Sequence, residues 1–77
     1  MNKKSRKTIP ILDLHGVRHH DVHDRVINWI YLQSLPAHII TGNSKQMKKV
    51  VTTLLDSLNY SYIIGDTINQ GYVKVIS

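Results

Sequence analysis

The stretch His38-Ile39-Ile40-Thr41-Gly42-Asn43-Ser44-Lys45-Gln46-Met47, continued to Asn59, decides the fold. It opens on a short run of β-formers, His38-Ile39-Ile40-Thr41, stopped by Gly42. Then Met47, Val50, Val51, Leu54, Leu55 and Leu58 recur at spacings of three and four, one stripe of an amphipathic helix. Lys48, Lys49, Thr52, Asp56 and Ser57 fall outside the stripe. Asn43 or Ser44 suits the helix start and Asn59 its end. This is a strand, a glycine loop and a helix, the unit of an α/β fold.

Reading back from it, Val22, Val26, Trp29 and Ile30, with Ile27 and Leu32 at the margin, predict a first helix after about His20, closed by Pro36. Before that helix, residues 9–15 (Ile9-Pro10-Ile11-Leu12-Asp13-Leu14-His15) predict a strand ended by Gly16. Pro10 is tolerated near a strand's start. Trp29 is expected in the core. Reading forward, residues 60–64 and 72–76 predict two more strands. Gly65-Asp66 and Asn69-Gln70-Gly71 mark the turn between them. The order β-α-β-α-β-β calls for parallel pairing across each helix and an antiparallel final hairpin. Two helices cannot cover both faces of four strands. The expected fold is therefore an α/β two-layer sandwich, a mixed four-stranded sheet with both helices on one face.

Composition bounds the rest. At 77 residues the chain is expected to form a single domain over 9–77, with a thin core. There is no cysteine, so no disulfide framework and no thiolate zinc site. Nothing approaches the run of ~20 apolar residues needed for a membrane span. The basic N-terminus lacks the apolar segment of a signal peptide, so the expected location is cytoplasmic. Ten Lys and Arg stand against five acids, all aspartate, for a net charge of +5. Residues 1–8 supply four of the positive charges and no negative one, and read as a flexible basic arm. The remainder carries six basic residues against five acids, a net of only +1. Such a balance points to an anionic partner, nucleic acid first.

In open α/β sheets ligands bind at the carboxyl ends of the strands. Parallel first and second strands would bring Asp13-Leu14-His15-Gly16 and Thr41-Gly42-Asn43-Ser44-Lys45 to one edge. Asp13 and His15, two apart, share the outward face, while Leu12 and Leu14 turn inward. A carboxylate beside an imidazole can orient the ring for acid–base work near neutral pH. The plainer reading makes Asp13 a turn cap and His15 a strand-end residue. At residues 41–45, backbone N–H groups, a helix N-terminus and Lys45, with Lys48 a turn further on, resemble a phosphate cradle. An ordinary capped helix start explains the same residues. The Gly-Lys-Ser/Thr ending of a Walker loop is missing.

The histidines at 19, 20 and 23, with Asp24, invite a metal reading, but they straddle the helix start and match no zinc spacing. They are expected on the surface, His19 outside the helix. No cofactor is predicted, and a divalent metal is the lesser alternative. Tyr60, Tyr62 and Tyr72 can stack on bases from the open sheet face, although strand tyrosines also pack.

Leu12-Asp13-Leu14-His15-Gly16, with the helix, strand, glycine loop and helix after it and the closing Gly71-Tyr72-Val73-Lys74-Val75, resembles the small MutS-related (Smr) domain family over residues 9–77. The resemblance implies a fold similar to the C-terminal domain of translation initiation factor three. It also implies nucleic-acid binding, often with endonuclease activity on DNA or RNA. The family's Asp-x-His pair maps onto Asp13 and His15 as the expected catalytic residues. Gly16, Arg18, Thr41, Gly42, Asn43, Ser44, Lys45 and Lys48 are the expected nucleic-acid contacts. The family's His-Gly-x-Gly loop is here Thr41-Gly42-Asn43-Ser44, which keeps only the first glycine. The alternative is a non-catalytic module that docks on nucleic acid or the ribosome.

Overall fold

A computed structural model describes residues 9–65 and 70–77. The expected basic arm, and residues 66–69 of the expected turn, lie outside the described residues. The chain order of elements is β1 (Ile11–Asp13), α1 (His19–Ile30), β2 (Ala37–Ile40), α2 (Lys45–Ser57), β3 (Tyr62–Ile64) and β4 (Tyr72–Val75). The strands form one four-stranded mixed sheet in the order β1-β2-β4-β3. β1 runs parallel to β2, while β4 runs antiparallel to both β2 and β3. The final hairpin forms as expected, and its second strand takes the place beside β2.

Alternation decides which face is covered. Ala37 and Ile39 of β2 and Val73 and Val75 of β4 are buried, while His38, Ile40, Tyr72 and Lys74 between them are half-buried. Val22, Val26 and Ile30 of α1 and Met47, Val51, Leu54 and Leu55 of α2 join those inward strand residues and Leu14 in one core. Both helices therefore lie on the same face and pack against each other. Each fully buried Val, Leu or Ile contributes about 1.5–3 kcal/mol. The opposite face stays open, with Ile11 and Ile63 more than half exposed.

The two helices end differently. At the start of α2 the Ser44 hydroxyl accepts from the Met47 N–H at 3.1 Å. At its end Asn59 takes a φ of +65°, Asn59 N–H bonds to Asp56 O and Tyr60 N–H bonds to Leu55 O. That pair of bonds is a Schellman motif with asparagine in the left-handed position. α1 stops at Ile30, not at Pro36 as the sequence suggests. Its last turn tightens, with Leu32 N–H on Trp29 O and Gln33 N–H on Ile30 O. The Gln33 side-chain amide also donates to Trp29 O. Leu32 consequently leaves the helix stripe and is 81% exposed. Trp29 is half-buried against the core rather than within it. His19 is the first residue of α1, against the expectation that it precedes the helix.

Candidate functional site

Parallel pairing of β1 and β2 brings their carboxyl ends together. The Leu14 N–H donates to Ile40 O at 3.0 Å, one residue beyond the end of β1. Leu14 is fully buried and anchors the turn after it. Residues 14–17 form that turn, closed by the Val17 N–H on Leu14 O at 3.0 Å. Gly16 sits third with a φ of +80°, as a type II turn requires. A side chain there would meet nothing within 4 Å, so backbone conformation alone asks for glycine. Asp13 Oδ1 accepts from the His15 backbone N–H at 2.9 Å. Asp13 thus braces the turn, as the plainer sequence reading has it. The carboxylate holds His15 through its backbone and leaves the imidazole exposed.

The second loop is tied to the residue just before β4, the neighbouring strand. Thr41 and Gly42 both donate their N–H groups to Gly71 O, at 2.9 and 2.8 Å. Gly42 has a φ of +68°. Thr41 is buried, and its hydroxyl donates to Gly42 O. The expectation of free N–H groups here needs correction, because Gly71 occupies the first two. The donors left to a ligand move toward α2, where the N–H groups of Lys45 and Gln46 have no acceptor within the helix.

Between the loops lies a cleft of about 620 Å³. Asp13, His15 and Gly16 form one wall and Thr41, Gly42, Asn43 and Ser44 the other, over an apolar floor that includes Ile40 and Met47. Seven of the ten residues expected from the sequence meet here. Arg18, Lys45 and Lys48 do not line the cleft: Arg18 precedes α1, Lys45 opens α2, and Lys48 is half-buried on it. His19 lines the cleft unexpectedly. The signal was its place at the start of the first helix, two residues after Val17, the last residue of the turn.

The remaining α1 histidines face their neighbours. His20 lies 3.4 Å from Asp21 and His23 lies 3.5 Å from Asp24, all on exposed surface. Among the described residues, no three metal-ligating side chains gather at one place. No described helix is long and apolar enough to cross a membrane. A hollow of about 630 Å³ beside Trp29 of α1 and Leu32 of the turn after it holds Asp21, Asp24 and Arg25, and includes none of the residues of the two loops. No family model matches the chain, and no curated protein or solved structure is significantly similar to it.

Proposed function

We propose that this is a nucleic-acid-binding domain of the small MutS-related type and that it acts as an endonuclease. The observation that carries the reading is the convergence of Asp13 and His15 with the 41–44 loop and the start of α2 in one cleft. The start of α2 offers backbone donors and the positive end of a helix dipole to a phosphate. Lys45 and Lys48 add charge beside it, and Arg18 does so at the opposite margin. His15 stands exposed in the cleft, whose other wall ends at Ser44, the cap of α2.

On RNA the route is an intramolecular displacement. His15 accepts the 2′-hydroxyl proton, and the 2′-oxygen bonds to phosphorus. The bond from phosphorus to the 5′-oxygen breaks, and that oxygen takes a proton from solvent. The products are a 2′,3′-cyclic phosphate and a 5′-hydroxyl. Asp13 is a positioning residue in this scheme, fixing His15 through the 2.9 Å bond to its N–H. The test is cleavage of single- and double-stranded RNA and DNA by the wild type, Asp13→Ala and His15→Ala, with and without EDTA. Loss of cleavage in His15→Ala with binding retained is expected. Equal cleavage by all three proteins would remove the catalytic assignment.

The second reading is a binding module without catalysis. It is favoured by one observation: the Asp13 carboxylate serves a turn and not the His15 ring. Salt-dependent binding with no cleavage in any metal condition would select it.

A further inference from the structure

The face of the sheet away from the helices is built in cross-strand rows. Asp13 of β1, Ile40 of β2 and Tyr72 of β4 stand opposite one another in one row. Ile11, His38, Lys74 and Ile63 make the next. Tyr72 and His38 meet on the diagonal between the rows, ring centroids 4.7 Å apart and planes tilted by 33°. That is within the range of a favourable aromatic pair. Both residues are half-buried, so ring surface remains on the open side.

A hollow of about 510 Å³ opens over this pair, bounded by Ile11 and Ile40 and closing on Gly42 and Asn43. Ile40, Gly42 and Asn43 also line the cleft that holds Asp13 and His15. The two hollows thus share these three residues as lining. Asp13 and Tyr72 are two strand spacings apart in their row, roughly 10 Å. The outward residues of β2, β3 and β4 include Lys74 and no acid.

We infer that this open face receives an unpaired base of the bound strand, stacked against the Tyr72–His38 pair, and so selects single-stranded over duplex nucleic acid. The inference rests on the proposed function, because the cleft must hold the phosphate next to that base. Three features favour a base over an apolar protein surface: the ring pair, Lys74 in the neighbouring row, and the lining shared with the cleft; the acid of this face, Asp13, stands two strand spacings from Tyr72. A base inside a duplex has both faces covered by its neighbours and has none to offer the rings. An unpaired base does, and stacking on aromatic side chains tolerates any sequence.

The experiment scans a fluorescein-labelled single-stranded 12-mer RNA with one abasic site or one 2-aminopurine at each position. It uses the wild type, Tyr72→Phe and Tyr72→Leu, with thermal unfolding to check each fold. At one position, 2-aminopurine emission is expected to be quenched by the wild type and Tyr72→Phe but not by Tyr72→Leu. An abasic site there is expected to weaken wild-type binding about fivefold or more. The same abasic site is expected to change Tyr72→Leu binding little. The matching duplex is expected to bind more weakly.

Equal affinity for intact and abasic strands, or for strand and duplex, overturns this inference and leaves the proposed function standing. Failure of every strand to bind removes both. Suppose instead that the free protein self-associates and that Lys74→Glu disperses it without changing strand affinity. The face then belongs to a second copy, and the inference falls. If Tyr72→Leu does not fold, the abasic scan on the wild type decides alone.

Discussion

The two strand–loop–helix units use similar means to opposite ends. In the first, β1 leads through a turn closed by its own bonds, Val17 to Leu14 and His15 to Asp13, into a helix whose preceding residue, Arg18, makes no side-chain cap. In the second, β2 leads into a loop bonded to Gly71 at the start of β4, and α2 is capped by Ser44. The first unit holds a side chain out into the cleft. The second fixes backbone, by tying the loop to a strand distant in sequence and by satisfying one helix-start donor while leaving others without an acceptor in the helix. A phosphate site needs donors in fixed places, whereas acid–base chemistry needs an accessible ring. On the proposed reading, the two units divide these requirements between them.

The sharpest way to break that comparison is His15→Ala. On the proposed reading it is expected to lower cleavage by about 10²–10⁴-fold, the usual contribution of a positioned acid or base. It is expected to leave binding and unfolding temperature nearly unchanged, since His15 is exposed. Cleavage kinetics beside a thermal melt check both halves. A matching loss of stability would make His15 a structural residue, and the two units would then differ less than proposed.

Gly42→Ala tests the other unit. The φ of +68° disfavours any side chain by about 1–2 kcal/mol, although space for a methyl group exists. Chemical denaturation is expected to read that loss. Binding is expected to weaken as well, because Gly42 belongs to both hollows. Gly16→Ala, at a φ of +80°, is expected to cost a similar amount. Its functional effect is expected on cleavage rate, through the placement of His15, more than on affinity.

The caps give a smaller contrast. Ser44→Ala is expected to cost about 1 kcal/mol, because the Met47 N–H loses its acceptor. Arg18→Asp runs the other way, offering α1 the side-chain acceptor it lacks. A gain of about 0.5–1 kcal/mol in urea unfolding is expected, with weaker nucleic-acid binding as a positive charge is replaced by a negative one. A stability unchanged by both substitutions would mean that the helix starts are fixed by core packing and not by their caps.

The same contrast explains what was legible in the sequence. α2 carries its signals within a few residues of each end, Ser44 before the stripe and Asn59 after it, and its span can be read from them. α1 carries none. Its apolar residues run on through Tyr31 and Leu32, and the helix stops only because Gln33 and a tightened turn take its last carbonyls. The expected contacts divide in the same way. Asp13, His15 and Gly16 lie in the cleft because parallel pairing fixes the strand ends. Arg18, Lys45 and Lys48 are set by helix phase, and they fall at or outside its margin. The loss of the Thr41 and Gly42 donors to Gly71 was not legible, since it depends on β4 pairing with β2 some thirty residues away in sequence. The open-face ring pair, His38 with Tyr72, is long-range for the same reason.

The smallest expected effect sharpens the comparison at the far end of α2. There the Tyr62 hydroxyl donates to Asp56 Oδ1 at 3.0 Å, tying β3 to the last turn of the helix. At the end of α1 the corresponding tie is only Gln33 on its own helix. Desolvation raises the Tyr62 phenol above its ordinary value of 10.0, and the hydrogen bond to the Asp56 carboxylate and its charge add to the shift, against a smaller opposing effect of Thr52. The folded chain therefore holds this proton more tightly than the unfolded chain. The stabilisation is fully present below pH ~10 and is lost as pH rises through the raised value. Tyr62→Phe is expected to cost about 0.5 kcal/mol in urea unfolding at neutral pH, as for a weak exposed hydrogen bond. The gap between wild type and Tyr62→Phe is expected to close at alkaline pH, because the ionised phenolate has no proton to donate and stands beside a carboxylate of the same sign. A gap that persists unchanged after the phenol has titrated, tracked by its ultraviolet absorbance, would show that the ring's packing and not its hydroxyl ties β3 to α2.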